Sequence, residues 1–264
     1  MTTAIHGVGS MGGAVLEALA ASGEGEVLAV VRREARAEEL RARFADRPRV
    51  EVVDREVAAA RADVHLVVTK PPAVPGVLAA LGPSLRPGAV VVSLALGLTL
   101  ADLAAPLPPG TAVVRGMPNT PARVGQGMTV LSPADTVTAE QLALVERTLA
   151  PTGETLVLPE DQQDAATALS GSAPAYLYLV VEALVDAGVA RGLARDHARR
   201  LAGQAALGAG AMLVGTGEEP AALRAQVTSP GGSTAAALAR LEAHGLRHAL
   251  ADAVDACADR SAGR

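Results

Sequence analysis

"AIHGVGSMGGAV", residues 4–15, is the stretch on which the fold turns. A strand-like apolar start runs into Gly7-x-Gly9-x-x-Gly12 and then into helix-forming residues, the order a dinucleotide-binding βαβ unit requires. Gly7 permits the tight turn, Gly9 lets backbone approach a diphosphate, and Gly12 allows close packing of helix on strand. The amides that open the helix then face the phosphates, which makes Gly7, Val8, Gly9, Ser10, Met11 and Gly12 candidate cofactor-binding residues. The competing reading is that the glycines merely close a turn.

Outward from this motif, β-branched runs alternate with segments of helical period as far as residue 158. Strands are expected at 4–8, 27–31, 50–53, 64–69, 89–93, 112–115 and 128–131, and helices at 11–21, 34–45, 73–81 and 139–149. Such alternation predicts an α/β fold with a Rossmann-like doubly wound, largely parallel sheet. After Pro159 the strand signals stop, and helical pattern is broken at "SGSAPAY", "RGLARD", "GTGEEP", "TSPGGST" and "AHGL". The chain therefore divides into a dinucleotide-binding domain, 1–158, and an all-α domain, 159–264.

Composition narrows the function. Of 264 residues 50% are apolar, the net charge is -5, and Phe44, Tyr176 and Tyr178 are the only aromatic residues. Neither a basic stripe nor a stacking platform is present, which argues against a nucleic-acid partner. Cys257 stands alone, so one chain can build neither a disulfide framework nor a cysteine-based zinc site, and a reducing, cytoplasmic setting is expected. The N-terminus lacks the pattern of a signal peptide. "APAYLYLVVEALVDAGVA", residues 173–190, is interrupted by Glu182 and Asp186; it reads as too short to span a bilayer and as a helix buried on nearly every side. No membrane partner is expected. Helices this rich in alanine have little core volume of their own, which predicts an oligomer.

Further candidates lie at strand ends, the edge where doubly wound sheets bind ligands. "VVRRE", residues 30–34, places Arg32 and Arg33 where NAD-binding proteins carry a carboxylate for the ribose 2'-hydroxyl. Two guanidiniums suit a 2'-phosphate, so NADP(H) is favoured with NAD(H) allowed; the alternative is a pair of solvated arginines opening a helix. Thr69, Lys70 and Pro71 in "LVVTKPP", and Ala95 to Gly97 in "VVSLALG", sit at two further strand ends. In "VRGMPNTPARVGQGMTVL", residues 114–131, prolines bracket Asn119 and Thr120 and make a stiff polar loop suited to positioning the nicotinamide end of the cofactor.

"QVTSPGGSTAAALARLE", residues 226–242, sets a Pro-Gly-Gly break against a good helix. It reads either as a cap by Ser229, Ser233 or Thr234, or as a seat for an anion on the helix amides. His244 and His248 are spaced four apart, but Gly245 intervenes and no further ligand completes a set, so no metal site is expected. His6 reads as a packed core imidazole.

In combination and order, "GVGSMG", "VTKP", "SLALG", "RGMPNTPARVGQG", "ALSGSAPAYLYLVVEALVDAGVARGL", "GAGAML" and "VTSPGGSTAAALARLEAHGLRHAL" closely resemble the pyrroline-5-carboxylate reductases over nearly the whole length. One departure is Ala173, where the family usually has glycine. The resemblance implies NAD(P)H-dependent reduction of the cyclic imine 1-pyrroline-5-carboxylate to L-proline, the last step of proline biosynthesis. It also implies that the helical domain binds substrate and interlocks with a second copy, as a homodimer or a larger assembly of dimers. Ser229, Gly231, Gly232, Ser233 and Thr234 then form the substrate loop, with Thr234 the catalytic residue that hydrogen-bonds the ring nitrogen. The nearest rival, a β-hydroxyacid dehydrogenase, depends on a helix-borne lysine, whereas the only lysine here is Lys70 at a strand end. A non-catalytic nucleotide sensor is the other alternative.

Overall fold

The computed structural model describes residues 1–263. Eight strands form one sheet in the order β3-β2-β1-β4-β5-β6-β7-β8. They are β1 (Thr2–His6), β2 (Glu26–Val30), β3 (Val50–Val52), β4 (Val64–Val67), β5 (Val90–Ser93), β6 (Ala112–Pro118), β7 (Gly127–Pro133) and β8 (Gly153–Val157). Every neighbouring pair is parallel except β6 and β7, which form an antiparallel hairpin. Helices α1 (Ser10–Ser22), α2 (Glu34–Arg43), α3 (Arg55–Arg61), α4 (Val74–Leu81), α5 (Leu100–Ala104) and α6 (Ala139–Leu149) connect the strands. The chain goes on through α7 (Gln163–Ala166), α8 (Ala173–Ala190), α9 (Arg195–Thr216), α10 (Pro220–Gln226), α11 (Ser233–Ala243) and α12 (Leu246–Ser261).

Burial explains the central strands. All four residues of β4 and of β5 are buried, as expected of strands covered on both faces. Alternate residues serve opposite layers: Leu66 packs with Ile5, Leu16 and Val92, while Val67 packs with Val74, Leu78 and Val91. The strand reading is shifted by two residues at β1 and stops short at β6, which carries on through Gly116, Met117 and Pro118 to pair with β7. Three elements escaped the sequence reading. Edge strand β8 has no buried residue, so it shows no apolar run, and α3 and α5 span only 7 and 5 residues.

Two compact units emerge from the contacts, Met1–Ser172 joined by the residues from Cys257 onward, and Ala173–Ala256. Within the first, the buried Arg115 on β6 meets Glu160 at 3.2 Å and Asp164 at 3.7 Å. Glu160 also accepts from the Leu100 amide at 2.6 Å, and Asp164 accepts from the Ser261 hydroxyl at 3.0 Å. One guanidinium thus ties β6 to the start of α5, to α7 and to the end of α12.

In the second unit α8 packs on α9 at Gly188, where a Cβ would meet the Ala198 methyl at 3.2 Å. The expectation that residues 173–190 are buried on nearly every side is corrected: Val185 is the only buried residue of α8, and Leu177 is 63% exposed. The length argument is corrected as well. The helical run Glu160–Ala190, 31 residues that contain an 18-residue window with a mean hydropathy of 1.4, is long and apolar enough to cross a membrane by length and composition alone. On α9, Leu201 and Leu207 are also exposed.

The fully buried Leu66, in a central strand, tests the core. Leu66→Ala is expected to lower the unfolding free energy by about 2–5 kcal/mol, measured by urea titration followed by far-ultraviolet circular dichroism.

Candidate active site

A cavity of about 620 Å³ opens at the carboxyl ends of β1, β2 and β4. It gathers Gly7, Val8, Gly9, Arg32, Arg33, Thr69 and Lys70, which are far apart in the sequence. Gly7 has φ +100, and a Cβ there would meet Thr69 Cγ2 at 2.7 Å. A Cβ on Gly12 would stand 2.0 Å from the Gly7 carbonyl oxygen, so α1 rests directly on the turn. Gly9 faces open space, with nothing within 4 Å of a Cβ added there. Ser10 and Met11 form the first turn of α1, which has no acidic residue and no side-chain cap. These features fit a diphosphate laid over Gly9 against the helix amides.

Four cavity residues carry chemistry that was not foreseen: Arg36, Asp54, Arg55 and Glu56. Arg36 pairs with Glu39 and donates to the Val8 carbonyl at 3.3 Å, anchoring the glycine turn to α2. Asp54, Arg55 and Glu56 follow β3, on the strand edge that supplies ligand residues in this sheet type, and that position was the available signal. Among the described residues Thr69 Oγ1, His6 Nδ1 and Arg55 Nε are buried without a hydrogen-bond partner. All three belong to residues that line the cavity, so its wall carries polar groups the protein itself does not pair.

The other candidates lie elsewhere. Pro71 opens a 3₁₀ turn before α4, Ala95 is buried beneath the end of β5, and Gly97 takes φ +79 in the loop that follows. Asn119, 8% exposed, uses both ends of its amide inside the protein. Nδ2 donates to the Ser170 carbonyl at 3.1 Å, and Oδ1 accepts from the Met128 amide at 3.0 Å. Asn119 therefore braces the β6–β7 turn against the π-helical turn Thr167–Gly171. Thr120 begins the 3₁₀ turn that follows, and Arg123 from that turn donates to the Ser10 hydroxyl, joining it to the glycine turn.

The loop containing Ser229, Gly231, Gly232, Ser233 and Thr234 belongs to the second unit. Gly231 takes φ +68 and the Gly232 amide donates to the Ser229 carbonyl at 3.0 Å, forming a tight turn. Gly232 is the N-cap of α11, which has no side-chain cap hydrogen bond. The capping reading of Ser229, Ser233 and Thr234 is thus corrected, because a glycine holds the cap position and Ser233 already lies in the first turn. The amides that open α11 keep their donors for another acceptor.

Comparison with known proteins follows the same division. Residues 160–263 match the family model for pyrroline-5-carboxylate reductase dimerisation, and residues 2–97 match the model described as NADP oxidoreductase coenzyme F420-dependent. The pyrroline-5-carboxylate reductase of Corynebacterium melassecola is 42% identical over 98% of this chain and 97% of its own length.

The chain belongs to the pyrroline-5-carboxylate reductase family.

Solved structures agree. A pyrroline-5-carboxylate reductase from Coxiella burnetii superposes with a TM-score of 0.91 at 32% identity, covering 98% of this chain and 96% of that one. The Plasmodium falciparum pyrroline carboxylate reductase, solved with NADP bound, gives 0.83 at 26% identity and covers 100% and 97%. This family member is an NAD(P)-dependent oxidoreductase that reduces the imine C=N bond of pyrroline-5-carboxylate to CH–NH in proline biosynthesis. The exposed apolar faces of α8 and α9 fall inside the region matched to dimerisation, which accounts for apolar residues left uncovered in a single chain.

Beneath the reductase's cavity lies a buried imidazole pair. His6 Nε2 and His65 Nδ1 are 3.1 Å apart, one donating and the other accepting. Burial, with His65 and Arg55 adding to it, pushes His6 down to about 3. Burial pushes His65 down to about 4, with Asp63 opposing and Arg86 assisting. Both rings are therefore neutral in the fold, whereas the unfolded chain takes up protons below the ordinary value of 6.5. Their stabilising contribution is present above that pH and is lost as pH falls from 6.5 toward about 4. At about pH 5.5 each imidazole is expected to cost on the order of 1 kcal/mol. Stability measured by denaturant titration against pH should fall over this range, and less steeply in a His6→Leu/His65→Leu double variant.

Proposed function

We propose that the reductase transfers hydride from NADPH to 1-pyrroline-5-carboxylate held on the Ser229–Thr234 turn, with Thr234 orienting the ring nitrogen. The observation that carries this reading is the uncapped start of α11, where the Gly231–Gly232 turn leaves the first helix amides, Ser233 and Thr234, without a side-chain cap. The amides of Ser233 and Thr234 suit the substrate carboxylate, since an anion is stabilised at a helix N-terminus, and Gly231 and Gly232 shape the turn that leads to them. Ser229 shapes the turn through its carbonyl.

The nicotinamide group, when bound, supplies the hydride. It is added to the carbon of the C=N bond, and the electron pair of that bond moves onto nitrogen. A ring protonated before the transfer accepts hydride far more readily than a neutral imine and leaves proline as the amine, so no side chain has to donate a proton in that step. Catalysis then consists of approximation and electrostatic positioning, which can supply several kcal/mol. The β-hydroxyacid dehydrogenase reading has no support in the helical unit, because the only lysine is Lys70 at the end of β4.

Arg32 and Arg33 support NADPH over NADH: they line the cavity at the end of β2, and neither has an ion pair among the described residues. Gly7 to Gly12, Thr69 to Pro71, Ala95, Gly97, Asn119 and Thr120 complete the proposed cofactor surface, with Asn119 acting through the turn it braces. A cytoplasmic setting is consistent with the lone Cys257, a free thiol that donates to the Ser172 hydroxyl at 3.1 Å.

Thr234→Ala is expected to lower kcat by about 10- to 100-fold, the loss of one positioning hydrogen bond, while Thr234→Ser keeps most of the activity. NADPH absorbance in the presence of pyrroline-5-carboxylate measures both, and turnover of Thr234→Ala near wild type would remove Thr234 from the mechanism. A homodimer or an assembly of dimers predicts a mass by light scattering that is an even multiple of the 26.5 kDa chain. A Leu177→Glu/Leu207→Glu variant should shift that mass toward one chain.

A further inference from the structure

We infer that Arg55 is a specificity-determining residue of the cofactor site, supplying a third guanidinium to the ribose 2'-phosphate beside Arg32 and Arg33. The inference rests on the dinucleotide reading of the cavity and deepens it.

Position argues first. β3 runs parallel to β2, with Val27 opposite Val50 and Ala29 opposite Val52, and the Val53 amide donates to the Ala29 carbonyl at 3.1 Å. In this register the residues just past β3 emerge beside those just past β2, which brings Arg55 into the cavity wall with Arg32 and Arg33. The glycine turn that suits the diphosphate follows β1, on the other side of β2. Arg55 therefore flanks the ribose end, where doubly wound folds distinguish a 2'-hydroxyl from a 2'-phosphate.

Pairing argues second. The neighbouring Arg61 is held by Glu26 at 2.6 Å and by Glu51 at 2.8 Å, and Arg36 is held by Glu39 and the Val8 carbonyl. Arg55 has no such partner among the described residues, and its Nε is buried without an acceptor. A buried guanidinium donor left unsatisfied is costly, and a phosphate presents oxygens in the geometry that a guanidinium fork matches. The lining holds five cations, Arg32, Arg33, Arg36, Arg55 and Lys70, against two carboxylates, Asp54 and Glu56. With Arg36 held by Glu39, two net positive charges remain to meet an anion. The imidazole of His6, also in the wall, is held neutral partly by the charge of Arg55, so the attraction comes from arginine and lysine.

Calorimetry on the full-length enzyme tests this with NADPH, NADH, 2',5'-ADP and 5'-AMP, comparing wild type with Arg55→Ala, Arg55→Lys and Arg32→Ala. Arg55→Ala is expected to weaken NADPH and 2',5'-ADP by about 10- to 100-fold, leaving NADH and 5'-AMP within about twofold of wild type. Arg55→Lys keeps the charge without the fork and should lose less, and it carries the same comparison if the alanine variant fails to fold. Equal losses for NADPH and NADH would show Arg55 contacting a part common to both dinucleotides and overturn the inference, as would unchanged NADPH affinity. If wild type bound neither dinucleotide, the cofactor reading itself would fall; binding by wild type with no selective loss in Arg55→Ala would overturn the role of Arg55 alone.

Discussion

The contact between Gly7 and Gly12 is the constraint from which the site follows. No side chain fits at residue 12, because the carbonyl of Gly7 already occupies that space. α1 can therefore begin directly beyond the end of β1, with its opening amides aimed over Gly9 toward the cavity. Arg36 holds the same turn from α2 and Arg123 holds it from the turn after β6. The turn is thus gripped by two elements distant in sequence, an arrangement that fixes the backbone before any ligand arrives and lowers the entropic cost of binding.

A second constraint sits across the sheet at Arg115. A buried guanidinium serves stability only when its acceptors are in place, and Glu160, Asp164 and their own partners supply that requirement together. Asn119 does similar work with neutral groups at the β6–β7 turn. Both residues couple the sheet to the helical run that follows β8, including the π-helical turn Thr167–Gly171, a kind of irregularity often found at functional sites.

The central strands are legible because both their faces are buried, so that "VHLV" and "VVVS" read as largely apolar, β-branched runs with only His65 and Ser93 departing. β8 is not, since "GETLV" at the sheet's edge shows no buried face, and α3 is too short to establish a helical period. Arg32 and Arg33 stand out because they lie about twenty residues after the glycines; Arg55 carries only the weaker signal of following β3, and its place beside Arg32 and Arg33 depends on the pairing of β3 with β2. Nor does an all-round apolar helix state whether its cover comes from the same chain. The pattern of α8 reads as buried, yet its leucines face outward in the single chain. The same ambiguity applied to the Pro-Gly-Gly turn, where a cap and an anion seat share one sequence and differ only in where Gly232 falls.

The distribution of aromatic rings over this architecture has an optical consequence. Both tyrosines, Tyr176 and Tyr178, stand on α8, and there is no tryptophan. Phe44, weakly absorbing, is the sole aromatic residue of the first unit. Tyrosine emission and near-ultraviolet dichroism therefore report on one helix of the second unit, while the nucleotide-binding sheet is almost dark. Nicotinamide fluorescence meets no tryptophan background, and a loss of tyrosine signal records a change around α8, whatever the state of the sheet.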